Sequence, residues 1–231
     1  MKRMLLAALA VGLVGLAQDA LALPSLQLDI IGGYYDMTDE STLTGSDIFT
    51  LQAFLSPDNQ GANQLGDTYY LAIAVVPKMA QGGAYGSFTV NGTTVDVTGG
   101  MVYGTPPLNS LYPDLGSHGV YDTYYRELSF QFNGSSTVAA YDVQDGSSAP
   151  GLMYFANFTF DVTGLAASGL ELHFDLYNEN LVQKKRSVNY STEFAPFSHD
   201  AGTTKQVPEP GTLLLLGSGL LGLGLLRRRR G

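Results

Sequence analysis

The sequence predicts an all-β fold, a two-sheet sandwich of the jelly-roll type. Several segments alternate apolar and polar residues with a period of two, which is typical of strands with one buried face. Asn91-Gly92, the dipeptide preferred in two-residue hairpin turns, separates two such segments. Clusters of Gly, Pro, Asn, Asp and Ser lie between the others, and residues 23–206 show no helical periodicity. A body of this size buries enough surface to form a core without disulfides.

The hairpin turn also predicts a register. It pairs Val90 with Thr93 and Phe88 with Val95, so the apolar members of both pairs share one face. Residues 69–76 are almost all apolar, which indicates a central strand buried on both faces. The remaining predicted strands span residues 26–31, 49–55, 127–132, 137–143, 155–162 and 170–177.

The last of these strands has the clearest alternation. Leucine and phenylalanine occupy one face, and a mixed polar set occupies the other. We expect that second face to be turned outward to solvent. Its members are Glu171, His173, Asp175 and Tyr177.

Residues 1–22 have the features of a secretory signal helix. Lys2 and Arg3 precede an apolar run over residues 4–17, and Ala20 and Ala22 are the small residues that a signal peptidase requires. We expect cleavage after Ala22. A retained transmembrane helix is the alternative, but the run is shorter than the roughly 20 residues that a bilayer needs.

The C-terminal end divides into three further parts, which follow a β-sandwich domain over residues 23–202. Residues 203–211 form a linker, residues 212–226 an uncharged single transmembrane helix, and residues 227–231 a basic cytoplasmic tail. Positive charge after an apolar span keeps that end in the cytoplasm. The orienting residues are Arg227, Arg228, Arg229 and Arg230. An ordinary permanent anchor is the alternative.

A Val-Pro-Glu-Pro motif, a Leu/Gly helix and a terminal arginine cluster, in that order, resemble the PEP-CTERM sorting signal of Gram-negative bacteria. The resemblance implies that an exosortase recognises Pro208, Glu209 and Pro210. It also implies an inner-membrane intermediate, removal of the tail, and transfer of the body to the cell surface or extracellular matrix. The two prolines hold the backbone extended and out of helix, which leaves the segment accessible to an enzyme.

The body resembles a second group, the choice-of-anchor N family of exported proteins. The similar phrases are Leu-Gln-Leu-Asp at 26–29 and the segments 118–125, 173–177 and 194–201. This resemblance implies surface display and supplies no catalytic residues.

Charge and composition exclude several classes of function. The whole chain has a net charge of −9, and residues 23–206 carry 19 acidic against six basic residues. Such a balance argues against a nucleic-acid partner, which needs a basic face. The chain contains no cysteine, which excludes disulfides, thiol catalysis and cysteine-ligated metals.

Four residues form the candidate metal set. His118 and Asp122 are four apart, and His199 and Asp200 are adjacent. Imidazole and carboxylate together are ligands for zinc or another divalent metal; structural hydrogen bonds made by loop histidines are the alternative and the commoner case. The acidic segments 36–40 and 142–145 offer oxygen ligands for calcium. Solvated loops are the alternative there.

We therefore expect a surface or matrix protein that is not an enzyme, associated with exopolysaccharide or biofilm. The first alternative is a carbohydrate- or calcium-binding lectin-like module, with the tyrosine pairs that begin at Tyr34, Tyr69 and Tyr124 as sugar-stacking platforms. The second is a secreted hydrolase, which would need His118, Asp122 and His199 to converge in a cleft. No catalytic residue and no resident cofactor is predicted.

Overall fold

A computed structural model describes residues 23–56, 63–104, 122–166, 169–184 and 187–204. These residues form two β-sheets and a few short helices. The strands are β1 (Leu26–Ile30), β2 (Tyr34–Asp36), β3 (Ser41–Thr44), β4 (Ile48–Leu55), β5 (Tyr69–Val76), β6 (Ser87–Val90), β7 (Thr93–Asp96), β8 (Val102–Gly104), β9 (Thr123–Phe130), β10 (Thr137–Tyr141), β11 (Ser148–Asp161), β12 (Glu171–Lys184), β13 (Ser187–Phe194) and β14 (Asp200–Thr203). The helices are α1 (Val97–Gly100), α2 (Thr163–Ala166) and a 3₁₀ turn (Phe197–His199).

Sheet A has six strands in the order β1-β4-β11-β6-β7, with β10 also paired to β11. Sheet B has eight strands in the order β2-β3-β14-β12-β5-β9-β8, with β13 also paired to β12. The pairing of β3 with β14 is parallel, and the other pairs are antiparallel. The prediction of a mostly β chain with two sheets is confirmed, while its jelly-roll connectivity stays a prediction.

The predicted terminal helices, at 1–22 and 212–226, lie outside the described residues. Within the described ranges, no helix has the length and apolar character needed to cross a bilayer.

The inner faces of the two sheets form one apolar core. Phe49 and Phe160 of sheet A stack with ring centroids 5.4 Å apart, and Phe174 of sheet B approaches Phe160 to 4.8 Å. All three side chains are buried. Burial of such a side chain contributes about 1.5–3 kcal/mol, so this aromatic contact is a principal connection between the sheets.

The predicted hairpin between β6 and β7 is confirmed in turn and register. Val90 pairs with Thr93, and Phe88 pairs with Val95. Asn91 has a φ of 50° and Gly92 a φ of 76°, the left-handed conformation that a type I′ turn requires. The Asn91 side chain also accepts a hydrogen bond from the Thr159 N–H of β11 at 2.9 Å, which ties the hairpin to its sheet.

The structure extends the predicted set of strands. Three predicted strands are longer than expected, since β9 begins at Thr123, β11 begins at Ser148 and β12 continues to Lys184. Five strands were not predicted: β2, β3, β8, β13 and β14. Four of these have only three or four residues, too few to show a period. The last of them, β14, ends at Thr203, one residue beyond the predicted domain boundary.

Candidate functional site

The outer face of sheet B, opposite the inter-sheet core, is buried at its centre. Along β12, Leu172, Phe174 and Leu176 belong to the core, so Asp175 and Tyr177 alternate onto the outer face. Asp175 is nevertheless only 2% exposed, and Tyr177 is 0% exposed. The predicted alternation is confirmed, but the expectation that these two side chains face solvent is wrong. The neighbouring strand β5 is buried on both faces, as predicted.

Three polar side chains meet on this outer face. The Nε2 atom of His173 lies 3.4 Å from Oδ1 of Asp175 and 4.0 Å from Oδ2 of Asp200. One ligand atom from each residue lies within 4.8 Å of the others. Both carboxylates are almost fully buried, whereas the imidazole is 26% exposed. We call these three residues the His-Asp-Asp cluster.

Backbone pairing places the cluster. His173 pairs with Gly202 and Phe174 with Ala201 across β12 and β14, so continuing this register brings Asp200 opposite Asp175. On its other side, β14 pairs with β3, where Asp200 is opposite Ser41. The hydroxyl of Thr203 accepts a hydrogen bond from the Leu172 N–H at 2.8 Å. Both strands that carry the ligands are thus fixed by neighbours.

The next residue along the chain, His199, points to a different partner. Its Nε2 lies 3.1 Å from Oδ1 of Asp142, in the turn between β10 and β11, and Ser198 Oγ lies 2.8 Å from its Nδ1. Burial lowers the pKa of His199, and the nearby Asp142 carboxylate only partly offsets this. Because a carboxylate only accepts, Nε2 donates to Asp142, and in that neutral tautomer Nδ1 accepts from the Ser198 hydroxyl.

These contacts decide which predicted ligands come together. Asp200 joins the His-Asp-Asp cluster, and His199 contacts Asp142 in the turn between β10 and β11. Asp122 is exposed just before β9. His118 lies outside the described residues, so the four-residue metal set stays a prediction. Of the three residues in the His-Asp-Asp cluster, only Asp200 belonged to the four-residue metal set predicted from the sequence.

The two acidic segments form turns that use their own carboxylates. Asp36 accepts from the N–H groups of Thr38 and Asp39, at 2.7 and 3.2 Å. These bonds lower the pKa of Asp36. In the other segment, Asp142 accepts from the Gln144 N–H at 2.8 Å and Asp145 from that of Ser147 at 2.7 Å. Local hydrogen bonds of this kind account for aspartate in turns, and calcium there stays a prediction.

The tyrosine pairs divide between core and surface. Tyr69 and Tyr124 are buried in the inter-sheet core, while Tyr34 is exposed. Tyr70 stacks on Tyr177 with centroids 5.1 Å apart. A buried ring offers no face to a sugar. Tyr69 and Tyr124 are therefore packing residues.

The comparisons with known proteins identify one segment. Residues 206–230 match the PEP-CTERM protein-sorting motif. No curated protein and no solved structure matches the chain. The matched segment contains Pro208, Glu209, Pro210 and the four arginines; these residues, like Ala20 and Ala22 at the predicted signal cleavage site, lie outside the described residues. The chain therefore carries a PEP-CTERM motif and is an exported bacterial protein, sorted by an exosortase to the cell envelope or surface.

Proposed function

We propose that the protein is a non-catalytic component of the cell surface or extracellular matrix of a Gram-negative bacterium, associated with exopolysaccharide or biofilm. The observation that carries the proposal is the sorting motif at residues 206–230. In this proposal a signal peptidase removes residues 1–22, and the chain then waits in the inner membrane for the exosortase. The choice-of-anchor N resemblance of the body supports display in the same way.

The physical properties of the tail support this sequence of events. The segment 212–226 is uncharged, and as a helix its 15 residues would span only about 22 Å. Such a thin span suits a transient intermediate, and the arginines that follow keep its end in the cytoplasm. The Pro-Glu-Pro segment then lies at the outer boundary of the membrane, where a membrane enzyme reaches it.

The body supports a scaffold role rather than catalysis. The hydrogen-bonded series Ser198–His199–Asp142 has the residue types of a hydrolase triad, but its imidazole is only 4% exposed. It connects the turn before β14 in sheet B to the turn after β10 in sheet A. We therefore interpret it as a link between the two sheets.

Replacement of Pro208, Glu209 and Pro210 by alanine tests the sorting step. We expect the variant to accumulate uncut in the inner membrane, heavier than the surface form by the mass of the removed tail. The matched control is Lys205→Ala, one residue outside the matched segment, which should be processed normally. The wild-type chain in a strain without exosortase should behave like the triple variant.

Mass spectrometry of the wild-type surface protein gives the decisive result. A chain that still ends at Gly231 would contradict processing and favour a permanent anchor. For the matrix association, digestion of the exopolysaccharide with a glycosidase should release the processed protein from the cells. Retention of all the protein after complete digestion would contradict that part of the proposal.

A further inference from the structure

We propose that His173, Asp175 and Asp200 form a binding site for one divalent transition-metal ion, of which zinc is the representative. The three side chains provide one nitrogen and two oxygens, and their ligand atoms converge within 4.8 Å. The inference rests on the body of the protein and is independent of the sorting signal.

The distances suit direct coordination. Bonds of about 2.0–2.2 Å from zinc to nitrogen and oxygen place tetrahedral ligand atoms about 3.3–3.6 Å apart. The separation between His173 and Asp175 is 3.4 Å, and that between His173 and Asp200 is 4.0 Å. The first distance lies within this range, and the second exceeds it by about 0.4 Å (4.0 against 3.6 Å).

The cluster combines buried carboxylate ligands with an opening to solvent, as a metal site requires. The carboxylates of Asp175 and Asp200 are held in a low-dielectric environment, where attraction to a cation is strong. The imidazole of His173, at 26% exposed, opens the cluster toward solvent. This edge provides an entry path, and water can complete the coordination at the same edge.

The ligand types select the class of metal. Calcium takes six to eight oxygen ligands and no imidazole, whereas a histidine with carboxylates is a common set for zinc and related transition metals. Asp36 and Asp142 use their oxygens for backbone hydrogen bonds, and although Asp142 also contacts His199, the only group of three such ligands among the described residues is the His-Asp-Asp cluster. The His-Asp-Asp cluster is therefore a zinc-type site, separate from the calcium sites considered for the acidic turns.

A competing explanation uses the same geometry without a metal. A protonated His173 would form an ion pair with each carboxylate and bind nothing. The two explanations differ in an observable way, because only the first predicts uptake of a divalent ion.

Metal titration of the full-length chain separates them. The protein is purified in detergent, stripped with a chelator, and titrated with Zn²⁺ by calorimetry and with Co²⁺ by visible absorption. We expect one ion per chain and an X-ray absorption spectrum at the zinc edge that shows one imidazole. Asp200→Asn and His173→Gln should each weaken binding by at least about 100-fold, the upper end of what loss of an outer-shell group costs.

Asp145→Asn is the matched control, since it changes an exposed turn aspartate in the same way; it should leave affinity unchanged. His118→Gln tests the site predicted with Asp122. Binding that disappears in His118→Gln and survives in His173→Gln would overturn the proposal, as would a folded wild-type chain that takes up no Zn²⁺ or Co²⁺. If a cluster variant fails to fold by circular dichroism, a one-imidazole zinc-edge spectrum that persists in His118→Gln and in His199→Gln supports the proposal, and its loss in either variant contradicts it.

Discussion

The outer faces of the two sheets differ in how deeply their polar residues are buried. On sheet A, Gln52 and Asn157 occupy opposite positions on β4 and β11 and form a surface hydrogen bond of 3.0 Å. On sheet B, Ala72 pairs with both Asp175 and Glu127, and Ala72 and Asp175 are almost fully buried. The outer face of sheet A is thus solvated at this pair, although Gln27, Phe54 and Met153 are buried elsewhere on it, whereas the outer face of sheet B holds charged side chains among buried neighbours.

This difference shows where polar interactions contribute most to the stability of the fold. A carboxylate on a solvated face costs nothing and specifies little, whereas a buried one must be matched by partners of defined geometry. Sheet B provides such partners: the Tyr177 hydroxyl donates to Oε1 of Glu127 at 2.8 Å, and the His-Asp-Asp cluster lies on the same face. Substitutions that are equivalent in chemistry should therefore have very different effects on the two faces.

The largest effect is expected from a new charge. Ala72→Asp would place a carboxylate at a 1%-exposed position between Asp175 and Glu127, adding like-charge repulsion to the cost of burial. We expect a loss of about 3–5 kcal/mol, the range for an uncompensated buried charge. Thr159→Asp, on the exposed face of sheet A, should change stability by less than about 0.5 kcal/mol.

Urea unfolding of the exported protein measures both changes, with tyrosine fluorescence and circular dichroism as probes because the chain has no tryptophan. Equal urea midpoints for the two variants would show that the outer face of sheet B is as accessible as that of sheet A. That result would contradict the difference in burial between the two faces.

A smaller difference is expected for two tyrosine–carboxylate hydrogen bonds, one on each sheet. Tyr177 donates to Glu127 on sheet B, and Tyr141 donates to Oδ2 of Asp29 on sheet A at 2.7 Å. Tyr177 is fully buried and Tyr141 only partly so, and we therefore expect a loss of about 2–3 kcal/mol for Tyr177→Phe, against about 1–2 kcal/mol for Tyr141→Phe. Double-mutant cycles with Glu127→Gln and Asp29→Asn measure each coupling; a larger coupling on sheet A would contradict the ranking.

The bond on sheet A should also depend on alkaline pH. Burial and the hydrogen bond to Asp29 raise the pKa of Tyr141 above its ordinary value. The folded state therefore favours the protonated phenol, and its contribution is complete below the unfolded pKa of about 10 and declines as pH rises beyond it. We expect the stability difference between wild type and Tyr141→Phe to be larger at pH 8 than at pH 11. A difference that grows toward pH 11 would reverse the sign of this linkage.

Much of the fold was predictable because its signals are local. The Asn91-Gly92 turn determines its own register, and β5 shows in its composition that both faces are buried. The polar strands β3 and β14 carry no such signal. Each is buried through a parallel pairing between residues 41–44 and 200–203, which are far apart in sequence. No local pattern specifies a contact of that kind.

The candidate site was less predictable for a related reason. His173 and Asp175 were assigned to the correct face, but the environment of that face depends on neighbouring strands. The sequence signal that could have indicated their burial is the apolar composition of β5, which is buried on both faces. Polar residues on a strand beside such a strand are shielded from solvent as well. The pairing of Asp200 with Asp175 depends on the register between β12 and β14, which the sequence does not display.

The smallest expected effect is at the solvated pair on the outer face of sheet A. Gln52→Ala removes the hydrogen bond to Asn157 at a position where water replaces both partners. We expect a loss of at most about 0.5 kcal/mol, because an exposed hydrogen bond is exchanged for bonds to solvent. Asn157→Ala in the same background should add almost nothing, and urea unfolding of the two single variants and the double variant measures the coupling. A coupling above about 1 kcal/mol would mean that water does not compensate for this pair. An exposed pair on sheet A would then stabilise the fold as the Tyr141–Asp29 pair is expected to, and the contrast between the faces would narrow to the buried charges of sheet B alone.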